Sequence, residues 1–225
     1  MRSPSSPVRK PPKLPGKRPG PAGGIRDRAR RANLERLCDA ALTRFLADGT
    51  AAVSVDHIVD AAGMAKGSFY RLVGDKADLV DQILAPVAGE IRVALDHCEA
   101  RLRGGAPAEV AAIYLTLATE LAAAVGRHAR SVRLYLQEVR APAGGARRAI
   151  HALAAQIQAR AIALTELARA HGMIRDVDPR VSALAVIGLV EATLFAYLGG
   201  HGFTPAEAPG VLAELVAIVI RGIRA

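Results

Sequence analysis

The chain has 225 residues, enough for one large domain or a small one fused to a larger. With 51% hydrophobic but only 4% aromatic residues and no Trp, its core must be built mainly from Ala, Leu, Val and Ile, and the first two of these favour helix. The net charge of +9 is confined to the N-terminus, since ten of the 30 Lys/Arg but only one of the 21 acids, Asp27, precede Ala32. Such a basic arm suits nucleic acid or an anionic surface. Cys38 and Cys98 stand in no metal-type spacing and imply no disulfide framework. The basic start runs into Pro, Gly and Lys rather than an apolar segment, so no signal peptide is expected and the chain is placed in the cytoplasm. The most membrane-like stretch, residues 181 to 198, contains Ser182, Glu191 and Thr193 and has no flanking basic clusters. It is read as part of a protein core, with no membrane partner.

In chain order, residues 1 to 25 are rich in Pro, Gly, Ser and Lys/Arg and are expected to be a disordered basic arm. Leu34, Leu37, Cys38, Ala41, Leu42 and Phe45 then make one apolar helical stripe, and Gly49 supplies a stop. Ser54 caps a short helix ending near Ala62, and a second short helix covers Lys66 to Leu72. Asp75 caps a fourth helix, with Asp78 in a capping-box-like position, and Pro86 is expected to kink or end it. Five more helices follow. The first opens at Pro107 and ends before Gly126, and the second covers His128 to Val139. The third carries the stripe Ile150, Leu153, Ala154, Ile157, Ala161, Leu164 and Ala168, closed by Gly172. The fourth opens on Asp178-Pro179 and ends at Gly199-Gly200, and the last covers about Val211 to Ile223. The helix holding residues 181 to 198 is apolar nearly all round and so must be covered on both faces. With the last helix it is expected to form a four-helix homodimer interface.

The window from Ser54 to Lys76 carries the chemistry. Val55, Ile58 and Val59 give a short helix one apolar face, Gly63 permits a sharp turn, and Met64, Phe69 and Leu72 close a small core. Two helices joined in this way form a helix-turn-helix. The second presents Lys66, Gly67, Ser68 and Arg71 outward, where Lys and Arg can bond guanine edges and Ser either base type.

These residues resemble the DNA-binding domain of TetR-family regulators. The matching stretches are Ala40-Ala41-Leu42, Phe45 and Gly49, then Ser54-Val55, Ile58 and Ala61-Ala62-Gly63, then Lys66-Gly67-Ser68-Phe69-Tyr70 and Lys76-Ala77-Asp78-Leu79. The resemblance implies an all-α homodimer, with an N-terminal three-helix DNA-binding domain over residues 26 to 74. A C-terminal helical effector-binding and dimerisation domain would cover residues 75 to 225. It also implies that Lys66, Gly67 and Ser68 face bases, that Tyr70 and Lys76 meet phosphates, and that Ser54 caps its helix and touches the DNA backbone. Arg71 is a further candidate contact. Ala65, Asp56 and Leu72 depart from the pattern, standing where a capping Ser, a basic residue and a His or Tyr are common.

The function expected is that of a sequence-specific regulator of transcription, a repressor released by a small, largely apolar effector. The alternative is an architectural, effector-independent DNA-binding protein that uses the arm. Tyr114, Leu117, Tyr135 and Phe195 are large residues of the middle helices, suited either to plain core packing or to the lining of an effector cavity. Glu191, an acid in an apolar helix, must meet a partner, a ligand or water. No two of the six His stand at metal-ligand spacing. There is no phosphate loop, nucleophile elbow or paired-carboxylate constellation, so no metal, cofactor or enzymatic activity is expected.

Overall fold

A computed structural model describes residues 24–204 and 206–223. The segment before residue 24, with the first six cations of the basic arm, lies outside the described residues. The fold is all-α, and among the described residues there are nine α-helices and no strand. The first, α1 (Ile25–Ala52), buries Leu37, Ala41, Leu42 and Phe45 along the expected stripe. It begins at the last residue of the expected arm, Ile25, and Arg26, Arg28, Arg30 and Arg31 are exposed on its first turns. At Gly49 the backbone leaves the helix (φ 78°, ψ 154°), and one more turn follows. This left-handed conformation is open to Gly at little cost.

Two short helices, α2 (Val55–Ala61) and α3 (Lys66–Leu72), follow across Gly63 (φ 60°) and pack on α1. Ile58 and Phe69 are fully buried between them, with Met64 and Leu72 packed against the same cluster. Burying side chains of this size contributes about 1.5–3 kcal/mol each.

The long α4 (Lys76–Gly104) runs from this reader unit into the body of the protein. Pro86, expected to kink or end the helix, does not end it. Proline removes one intrahelical hydrogen bond, and the packing of α4 on the helices that follow outweighs that loss, since Ile83, Leu84 and Val87 around it are all buried. A 3₁₀ turn at Pro107–Glu109 leads into α5 (Val110–Arg127), which carries through Gly126 by one residue. Then come α6 (Ala129–Glu138), α7 (Arg147–Ala170), α8 (Pro179–Leu198) and α9 (Ala208–Ile223). The last begins at Ala208, with Pro209 and Gly210 in its first turn rather than before it. Glu207 stands just ahead and accepts from the backbone N–H and hydroxyl of Thr204, both at 2.8 Å.

α4 packs on α5, α6 and α7, α7 packs on α8, and α5 on α9. α6 lies against α1, so one continuous buried cluster runs from Leu37 and Phe69 in the reader to Leu134 and Ile150 in the body. A second cluster, around Leu102, Ile113 and Leu164, closes the far end.

Candidate functional site

The reader helices are set by local bonds. Ser54 caps α2, its Oγ accepting from the His57 N–H at 3.2 Å while His57 Nδ1 accepts from the Ser54 N–H at 3.4 Å. Ala65 offers α3 no side-chain cap. Lys66 opens α3 and forms an ion pair with Asp56 of α2 at 2.8 Å, both side chains being more than half exposed. The hydrogen bond from Lys66 to this carboxylate holds the ammonium pKa above its ordinary value. The Asp56 that departs from the pattern thus engages the cation expected to face bases. Gly67 is exposed, and a Cβ there would meet open space. Ser68 Oγ accepts from Arg71 Nη2 at 2.7 Å, so these two side chains form one polar unit. Tyr70 is 56% exposed, its ring edge-on to Phe69 with centroids 5.2 Å apart. Leu72 turns inward onto the core, where a polar residue would have faced out.

Lys76 is placed otherwise than its expected role implies. Its Nζ donates to the carbonyls of Thr50 at 2.9 Å and Val53 at 2.7 Å. The ammonium therefore closes the end of α1, which Gly49 has broken, instead of standing free on the surface. Beside it, Asp75 caps α4 by accepting from the N–H groups of Ala77 at 2.7 Å and Asp78 at 2.9 Å, and its other oxygen takes Arg148 Nη2 of α7 at 2.6 Å. The bond from the Asp78 N–H, with that from Ala77 and the Arg148 pair, holds the Asp75 carboxyl below its ordinary pKa against a smaller effect of burial.

The same joint contains Glu138, a residue that sequence reasoning passed over. It lies at the end of α6 and is 3% exposed. Its Oε1 accepts the Thr50 N–H, freed by the turn at Gly49, at 2.7 Å, and its Oε2 pairs with Arg147 of α7. Burial pushes this carboxyl pKa up, but the Thr50 N–H and Arg147 outweigh it and hold the group ionised below the ordinary range. Nothing in the sequence pairs positions 88 apart. The only signal was an acid three residues from Tyr135 on one helix face.

A cavity of about 310 Å³ lies between α4, α5, α6, α7, α8 and α9. Tyr114, Leu117, Tyr135 and Glu191 line it, with Ile91, Leu153, Ile157 and Val186 among the apolar residues, and with Thr165, Ser182 and Thr193 the remaining polar ones. Thr165 and Thr193 return their hydroxyl hydrogens to carbonyls of their own helices. Tyr135 Oη donates to Glu191 Oε1 at 2.8 Å, and Arg140 Nη2 reaches Glu191 Oε2 at 3.4 Å. Burial raises the pKa of both tyrosines, and the Glu191 hydrogen bond adds to the effect at Tyr135. Both hydroxyls are therefore neutral donors. Phe195 does not line the cavity and is 60% exposed. At 3.6 residues per turn, Val186, Val190 and Leu194 occupy the inner face of α8, and Phe195 falls beyond its edge, with Leu184, Gly188 and Ala192.

That outer face bears Val181, Leu184 (67% exposed) and Phe195, with Ile218 of α9 also exposed. By length and a mean hydropathy of 2.0, α8 could cross a membrane. Here one of its faces walls the cavity. Among the described residues no group of His, Cys, Asp and Glu gathers in a metal-binding arrangement. The Cys38 and Cys98 thiols, pushed by burial to about 11, stay protonated near neutrality.

Residues 37–83 match the family model for bacterial regulatory proteins of the tetR family. No curated protein matches the chain. Among solved structures, NalD from Pseudomonas aeruginosa, the secondary repressor of the MexAB-OprM multidrug efflux pump, is similar at 19% identity and a TM-score of 0.68 over 88% of this chain and 98% of NalD. The transcriptional regulator FadR from Bacillus subtilis, solved in complex with stearoyl-CoA, is similar at 14% identity and a TM-score of 0.63 over 84% of this chain and 99% of FadR. SCO3833 of the TetR family, from Streptomyces coelicolor A3, is similar at 24% identity and a TM-score of 0.60 over 84% of this chain and 91% of its own. At these identities the likeness establishes the fold.

Proposed function

We infer that this chain, whose residues 37–83 match the tetR-family model, is a homodimeric, sequence-specific DNA-binding regulator of transcription that a small apolar molecule releases from its operator. The observation that carries this reading is the union of a helix-turn-helix, whose second helix exposes Lys66, Gly67 and Tyr70 with Ser68 half-buried beside them, with a body that holds an apolar cavity. In the complex, Lys66 and the Ser68–Arg71 pair face bases. Tyr70 contributes its hydroxyl to a phosphate, Ser54 lies against the DNA backbone, and Lys76 meets a phosphate through its backbone N–H at the start of α4. The neighbours named as a repressor and as a stearoyl-CoA complex support repression and small-molecule control.

α6 offers a route between the two halves. Tyr135 faces the cavity, and three residues on Glu138 holds the Thr50 N–H behind the reader. A ligand that binds better to a state in which α6 is displaced draws the population toward that state. The two reader heads then lose the separation of about 34–36 Å that successive major grooves require.

Selection of bound sites from random double-stranded DNA by the full chain tests the reading. A twofold-symmetric site is expected, and Lys66→Ala should relax the preference at one position in each half. Sites without symmetry would sink the dimeric regulator. Binding that discriminates little between sequences and vanishes on deletion of residues 1 to 25 would favour the architectural alternative.

A further inference from the structure

We propose that the cavity takes hydrophobic amines, cationic at neutral pH, and that the Glu191 carboxylate receives their ammonium group. The proposal rests on the reading of this cavity as the effector site and adds the charge of the effector. Three observations carry it. First, among the described residues no Lys, Arg or His lines the cavity, and Glu191 is the one carboxylic acid there. An anionic headgroup drawn inside would lose its water and find no cation in exchange, which is unfavourable for a buried charge.

Second, Glu191 is only 17% exposed, yet it is incompletely used. A carboxylate offers about four lone-pair positions, and this one receives the Tyr135 hydroxyl at 2.8 Å and a single long contact from Arg140 at 3.4 Å. Arg140 is 72% exposed, so when a ligand ammonium displaces it the guanidinium returns to water with little loss. Tyr135 can keep its hydrogen bond throughout.

Third, the rings of Tyr114 and Tyr135 line the same cavity. Aromatic faces attract cations and repel anions. An alkyl chain would lie along Ile91, Leu153, Ile157 and Val186, with its charged end at α8.

The test is calorimetric titration of the full chain with decylamine, which is protonated to decylammonium at neutral pH, decanol and decanoate, three probes of one chain length and different charge. Release of the selected operator is followed in parallel by fluorescence anisotropy. The ammonium should bind about tenfold or more tightly than decanoate, the scale of a hydrogen bond or contact to a charged group. Glu191→Gln should remove that gap while decanol still binds, which shows that the variant is folded. Arg140→Ala should strengthen ammonium binding several-fold by removing the competing guanidinium. Decanoate binding as tightly as the ammonium, a gap that survives Glu191→Gln, or weaker ammonium binding in Arg140→Ala would overturn the proposal. If decanol or decanoate binds and releases DNA while the ammonium does neither, the charge preference fails and the effector reading stands. If none of the three binds, both fail.

Discussion

Asp56 and Lys66 stand on successive reader helices, and their ion pair at 2.8 Å lies in the open. An exposed pair of this kind adds little to stability. In the proposed complex its effect belongs to binding, where Lys66 trades Asp56 for DNA and Asp56 itself repels phosphate. Asp56→Asn should therefore raise DNA affinity several-fold at low salt, with a gain that shrinks as salt rises, because neutralising the acid adds a net positive charge to the groove-facing surface. Anisotropy titrations across a salt series measure this. An affinity equal to that of the wild type at every salt concentration would show that the pair plays no part in binding. Lys76 illustrates the converse, in which a side chain expected at the phosphates is spent on two carbonyls at the end of α1.

Among the elements, α6 is only ten residues long, yet it touches the cavity through Tyr135 and the reader through Glu138. The Glu138 carboxyl is held below its ordinary pKa of 4.5, and that of Asp75 below 3.8. An acid whose pKa is lower in the folded state contributes stability that is fully present above the unfolded value. That stability is lost as pH falls through the folded value. The joint should hence weaken as pH drops below about 4.5. Glu138→Gln should cost about 1–3 kcal/mol at neutral pH, the range for leaving buried polar groups poorly satisfied. The difference from the wild type should narrow as pH falls below about 4.5, the ordinary value, and close once pH passes the depressed folded value, where the wild-type carboxylate is itself protonated. Urea unfolding between pH 3.5 and 7 reads both effects, and a difference that does not change with pH would show that the Glu138 charge does not hold the joint.

For the whole molecule, the unsettled surface is the outer face of α8. Leu184 and Phe195 are 67% and 60% exposed, and an apolar patch of this sort commonly marks an interface. A second copy of the chain, related by a twofold axis, would cover this face and bring two reader units onto one side. Leu184→Glu together with Phe195→Glu should yield a folded monomer by light scattering and lose symmetric operator binding by a hundredfold or more. That follows because a monomer forfeits the second half-site and its effective concentration. A dimer that persists in the double variant would place the interface elsewhere. The inner face of the same helix walls the cavity within the chain, so α8 can be apolar on both sides.

The sequence by itself determined whatever depends on neighbours in the chain. The stripe from Leu34 to Phe45, the caps at Ser54, Asp75 and Asp178, and the turns at Gly49, Gly63 and Gly172 are all set within a few residues, by helical periodicity and by which groups reach an unpaired N–H. These were legible, and with them the helix-turn-helix between Ser54 and Lys76. The tertiary structure decided what depends on partners far along the chain. It carried α4 through Pro86 on the strength of packing, moved the start of α9 to Ala208, turned Phe195 out of the cavity and drew the Lys76 ammonium into a joint. Above all it paired Thr50 with Glu138, 88 residues on. No local pattern encodes such a meeting, because the free energy of a buried charge is fixed by which groups the fold brings within hydrogen-bonding distance, and those groups come from helices whose order in sequence does not reveal their contact in space.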